Sequence, residues 1–129
     1  MAARVLRLGI PRLEGEGTRI GTVRRPPRGV PKSKFASQDW YDVWFPTLAP
    51  SVPTMHAAQR ASGEQAWRAF TKKYRAEMAR AEASRALDLL AALSHHANFS
   101  VGCYCEDESR CHRSVLRELL AERGAKIAP

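Results

Sequence analysis

Apolar residues fall into two regimes along this chain. Up to about residue 53 they come in short bursts cut by proline and glycine, and beyond it they recur every three or four positions. Residues 5–10 (VLRLGI) alternate apolar and polar, which predicts a first strand ended by Pro11. Glu14-Gly15-Glu16-Gly17 is a turn by composition. Residues 19–24 (RIGTVR) predict a second strand in which Gly21 permits a close backbone approach. The prolines of residues 24–31 (RRPPRGVP) exclude both helix and central strand and predict a stiff extended loop carrying three arginines. Residues 40–45 (WYDVWF) hold four of the ten aromatic residues and predict a core strand, with an aromatic wall lining a pocket as the competing reading.

The second regime is helical. Ser51 suits an N-cap with Pro53 in the first turn of a helix reaching about Arg60. Ser62-Gly63-Glu64-Gln65 fits a capping box that launches the longest helix, with Trp67, Phe70, Tyr74, Met78 and Ala81 along one face. Residues 82–94 continue or restart the helix, and His95-His96 ends it. Seven of the eight prolines lie between residues 11 and 53, so the change of regime is compositional as well as periodic.

Residues 98–124 (NFSVGCYCEDESRCHRSVLRELLAERG) organise the rest. Phe99 through Cys105 predict a buried strand, and a polar bend over 106–110 follows. Val115, Leu116, Leu119 and Leu120 share one face of a helix starting near Cys111 or His112, with Gly124 as its C′ residue. Residues 125–128 predict a short strand parallel to the one at 99–105. The fold class is therefore α/β: a small, mostly parallel sheet flanked by helices, closed by a strand-loop-helix-strand unit. At 129 residues, the expectation is one domain, with a basic, proline-rich part over 1–53 and a helical part over 54–129.

Composition sharpens this picture. With 44% hydrophobic and 26% charged residues the chain has the makeup of a globular protein, and no apolar run approaches the roughly 20 residues that span a bilayer. The start lacks the apolar segment of a secretory signal, and three cysteines crowded into nine positions do not make a disulfide scaffold, so a cytoplasmic setting is expected. The net charge is +8, of which residues 1–34 carry +7. Such a basic end favours polyanions or small phosphorylated ligands.

The reactive side chains cluster at the bend. Past the carboxyl end of a parallel strand, a helix N-terminus offers unpaired N–H groups to an anion. The first reading is thus a site for a phosphorylated small molecule or nucleotide, built from Cys105, Arg113 and Ser114. Arg24 and Arg28 complete it from the proline-rich loop. A second reading makes Cys111 a thiol nucleophile, favoured by the helix N-terminus and its basic neighbours, with His112 as acid or base. The spacing Cys105-x4-Arg110 equals the loop length of rhodanese-like sulfurtransferases. A third is a nucleic-acid-binding module working through the basic N-terminal third. A zinc site of Cys103, Cys105, Cys111 and His112 has a suitable donor set. In an extended strand, however, Cys103 and Cys105 stand about 7 Å apart, too far to share one ion, so the sequence assigns no metal. It leaves any cofactor, and whether anything is catalysed, open.

Several landmarks together resemble the YeaO-like bacterial proteins, the domain-of-unknown-function 488 family. These are Pro27-Arg28-Gly29, Leu48-Ala49-Pro50-Ser51, Phe70-x3-Tyr74-Arg75-x-Glu77-Met78, and Cys105 followed by Cys111-His112-Arg113-Ser114. The similarity runs from about Arg19 to Ile127. This chain departs from the pattern at Val23-Arg24-Arg25-Pro26, where many such proteins have aspartate, arginine, a hydrophobic residue and tryptophan. The resemblance implies a small cytosolic α/β protein and no established reaction.

Overall fold

In a computed structural model, residues 1–60 and 62–129 are described, Arg60 by its backbone alone. Four strands, β1 (Ala3–Arg7), β2 (Thr18–Gly21), β3 (Val43–Trp44) and β4 (Phe99–Cys103), form one sheet in the order β1-β4-β2-β3. Every pairing is parallel. Among the described residues, four α-helices accompany them: α1 (Val52–Arg60), α2 (Glu64–Met78), α3 (Ala81–Leu93) and α4 (His112–Glu122). The chain is thus α/β, with β4 flanked on both edges and buried along its whole length.

The helical stripes pack where periodicity places them. Phe70, Tyr74 and Met78 of α2, Leu87 and Leu90 of α3, and Val115, Leu116, Leu119 and Leu120 of α4 share one core with Ile20, Phe99 and Val101 of the sheet. The Tyr74 hydroxyl, fully buried, donates to the Leu48 carbonyl at 2.6 Å. Ser51 caps α1, its hydroxyl accepting from the Thr54 amide. At the end of α4, Gly124 N–H donates to Ala121 O and Ala125 N–H to Leu120 O, the paired bonds of a Schellman stop. Ile127 then bridges Ala3 in parallel. That single bridge lies beyond β1, so the last segment runs parallel to β4 but is separated from it by β1.

Several local expectations give way, among them the first two strands, which end at Arg7 and Gly21 rather than at residues 10 and 24. The capping box fails because Gly63, at φ 92°, is itself the N-cap of α2, leaving Ser62 one residue too early to reach the first turn. Strand β4 stops at Cys103 rather than Cys105, because the chain bends at Tyr104. The aromatic run over 40–45 is not a core strand. β3 has two residues at the sheet edge, with Val43 46% and Trp44 43% exposed, and only Tyr41 (1%) is fully inside.

The loops before and after β2 are tied to the sheet by a buried ion pair. Arg19 has no exposed surface. Its guanidinium grips Glu16 through two bonds of 2.8 and 2.9 Å and donates to the Ile10 and Asp39 carbonyls. Glu16 also accepts from the Ser100 hydroxyl at 2.7 Å and from the Leu13 amide. Every polar group of this pair is thus engaged, the condition under which a buried pair is tolerated. Among the described residues, no helix is long and apolar enough to cross a membrane.

Candidate ligand-binding site

The carboxyl ends of β1, β2 and β4 converge beside the N-terminus of α4, the crevice that ligands occupy in parallel α/β sheets. Two cavities open there and share Arg25 and Tyr104. The larger, about 640 Å³, is lined by Arg7, Arg25, Arg28, Trp40 and Tyr104, with the backbone turn at Leu8 to Ile10 as floor. The second, about 440 Å³, reaches Cys103, Cys105, Arg110, Cys111 and His112 and has an apolar wall of Val23, Met55 and Phe70.

Of the residues singled out by sequence, Arg28 and Cys105 are exposed at the two cavities. Arg24 lines the second cavity, but its guanidinium is taken up by the carbonyls of Pro46, Ala49 and Pro50, each at 3.1 Å. Arg113 lies beneath the surface at 4% exposure. It donates to the Cys105 carbonyl at 2.6 Å, and its Nε has no partner among the described residues. The Ser114 hydroxyl donates to the Cys111 carbonyl at 3.0 Å. Arg113 and Ser114 therefore brace the bend from below. By contrast, neither Arg25 nor Arg28 has a side-chain partner among the described residues, and both are exposed.

Sequence reasoning missed Arg7 and Tyr104 as cavity walls, and for Trp40 it favoured the core over the pocket wall that the structure shows. Trp40 and Tyr104 meet edge to face, ring centroids 5.8 Å apart, a contact that no local spacing could reveal. The three acids of the bend line neither cavity. Glu106 reaches Arg7 at 3.5 Å, Asp107 holds the Ser109 amide, and Glu108 clamps Arg117 at 2.9 Å.

The cysteines divide sharply. Cys103 and Cys111 are each 2% exposed with sulfurs 2.6 Å apart, whereas Cys105 is exposed. The sulfur expected to be the nucleophile, Cys111, is thus covered, and the accessible thiol is Cys105. Cys103 is the strongest influence on Cys111, lowering its pKa by a hydrogen bond, but Cys105 and burial outweigh it and leave Cys111 at about 11. Cys105 is held well below an ordinary thiol by hydrogen bonds from Cys103 and then Cys111, with the charges of His112 and Arg113 adding. His112 is 8% exposed and its pKa is lowered by burial, against the Thr22 carbonyl that Nε2 meets at 2.7 Å. A carbonyl only accepts, so Nε2 carries the proton and Nδ1 turns its lone pair toward the Cys111 sulfur, 3.9 Å away.

A parallel α/β chain with a basic, aromatic-walled crevice at its strand ends and a cysteine-rich helix start is the class that this geometry defines. The chain matches the family model described as the active DUF488-N3 subclade over residues 3–124, and it belongs to that family. The membership bears out the resemblance carried by the proline-rich loop and the Cys-His-Arg-Ser segment. No curated protein and no solved structure matches the chain.

Proposed function

We propose that this protein binds a phosphorylated small molecule, a nucleotide being the form that uses the whole crevice. The observation that carries the reading is the shared lining of the larger cavity: exposed Arg25 and Arg28 beside the Trp40–Tyr104 pair. Arginine recognises phosphate bidentately, and an aromatic face stacks a base. Both guanidiniums are unspent, so a phosphate need displace no internal partner. Arg28 and Cys105 act at the ligand, Arg24 forms part of the wall, and Arg113 and Ser114 hold the bend that carries Cys105.

The reading through nucleic acid has less support. Three of the nine basic side chains of residues 1–34 are engaged by the fold: Arg19 pairs with Glu16, Arg12 with Asp42 at 2.7 Å, and the Arg24 guanidinium is held by three carbonyls. What remains near the cavities is a short cluster, fit for one or two phosphates rather than a strand.

Thermal-shift measurement against nucleoside phosphates, sugar phosphates and inorganic phosphate tests the proposal. The protein should be stabilised by at least one nucleoside phosphate, and Arg28→Ala should remove most of that shift. An equal shift in Arg28→Ala would take Arg28, and the cavity it lines, out of the site.

A further inference from the structure

Beneath the crevice lies a second constellation with a different chemistry. Cys103, Cys111 and His112 are all buried, and their ligand atoms lie within 4.8 Å of one another. We propose that these three residues bind a divalent zinc-type ion, with Cys105 closing the coordination from the cavity side. This goes beyond the phosphate-ligand reading and does not rest on it.

Four observations converge. The donor set, thiolate sulfur and imidazole nitrogen, is the one that tetrahedral zinc takes. His112 is pre-set for the role: its Nε2 donates to the Thr22 carbonyl at 2.7 Å, which leaves Nδ1 as the free lone pair on the sulfur side. That outer hydrogen bond is the device by which metal-binding histidines are oriented. The backbone also turns toward the sulfurs, the Cys105 amide lying 3.4 Å from Cys103 Sγ. Finally, the bend at Tyr104 removes the objection raised by strand spacing. With β4 ended at Cys103 and the chain bending at Tyr104, Cys105 leaves the extended line and lines the same cavity as Cys103, Cys111 and His112.

Charge balances as well. Two thiolates neutralise the ion, and a third leaves one negative charge beside the buried Arg113, which is fastened to the Cys105 carbonyl. Binding releases the thiol protons to solvent and needs no oxidant. The site lies at the base of the second cavity, which Cys103, Cys105, Cys111 and His112 all line, so an ion has a path in.

The test uses cobalt(II) as the probe, added to full-length protein that was purified under reductant without chelator. The expected result is about one ion per chain, with sulfur-to-cobalt charge-transfer absorption and the intense visible bands of a tetrahedral centre, all displaced by zinc. Cys111→Ser should weaken binding by more than about 100-fold, a larger loss than an outer-shell partner costs. Should that buried substitution unfold the chain, Cys105→Ser at the exposed position still decides. It should keep the ion and lose about a third of the charge-transfer intensity, one thiolate of three. Absence of charge-transfer absorption in reduced wild-type protein overturns the proposal. So does a Cys103–Cys111 disulfide that persists under reductant, or an unaltered cobalt spectrum in Cys105→Ser.

Discussion

Tyr104 stands edge-on to Trp40 and its hydroxyl donates a hydrogen bond to the Arg25 carbonyl at 3.0 Å. One side chain from the end of β4 thereby fixes both the aromatic loop and the arginine loop over the sheet. The proline-rich segment is thus anchored at Arg25 while the guanidiniums of Arg25 and Arg28 stay free among the described residues. Preorganised charges of this kind bind at a smaller entropic cost.

The two halves of the proposed ligand should separate by substitution. Trp40→Ala should weaken a nucleoside phosphate by about 1–3 kcal/mol, the worth of one stacked base, while leaving inorganic phosphate unaffected. Arg25→Ala should weaken both. Competition binding against a fluorescent nucleotide would read the difference, and equal losses for both probes in Trp40→Ala would contradict the assignment of that ring.

Thiol accessibility should follow burial. In the native, reduced, metal-free protein a bulky thiol reagent should modify Cys105 rapidly, while Cys103 and Cys111 react only on unfolding. Peptide mapping after a timed pulse gives the answer. Fast labelling of Cys111 would mean that the helix start opens in solution and that the covered sulfur is reachable after all.

Breaking the Glu16–Arg19 pair from one side should be strongly destabilising. Glu16→Gln leaves Arg19 buried without its counter-charge and should cost about 3–5 kcal/mol in urea unfolding. Its pH signature has a definite sign. Burial alone would raise the Glu16 pKa, but Arg19, Ser100 and the Leu13 amide together bring it down to about 2, against 4.5 for a free side chain. The unfolded chain therefore takes up this proton first. The contribution should be complete above about pH 5 and be lost as pH falls from 4.5 toward 2, a fall that Glu16→Gln should flatten.

Packing beneath the crevice should tolerate little addition. A methyl at Gly21 would run into the ring of Tyr41, which has nowhere to move at 1% exposure. Gly21→Ala should cost about 1–3 kcal/mol by overpacking, whereas at Gly29, where nothing lies within 4 Å, the same change is opposed only by the left-handed backbone at φ 76° and not by a clash. Thermal unfolding of the two variants side by side makes the comparison.

How much of this could be read beforehand depended on distance along the chain. The helical stripes of Phe70, Tyr74 and Met78 and of Val115 to Leu120 follow from a local period, and the structure buries them as expected. The placement of Cys105, Cys111 and His112 at one strand-to-helix corner was equally local. What could not be read was tertiary. Arg24 differs from Arg25 only in the direction its side chain leaves the loop, and three carbonyls from residues 46–50 decide it. The aromatic run over 40–45 has the composition of a core strand, yet it pairs with β2 through only two residues and stays at the edge. Trp40 joins the crevice because Tyr104 arrives from the far end of the chain.

The most direct test is calorimetric titration of the wild-type protein and an Arg25→Ala/Arg28→Ala double variant with adenosine monophosphate, adenosine and inorganic phosphate. The account predicts that the monophosphate binds more tightly than either part alone and that the double variant loses at least about tenfold in its affinity, roughly 1.4 kcal/mol. No heat from any of the three ligands, or equal affinity in the two proteins, would contradict it.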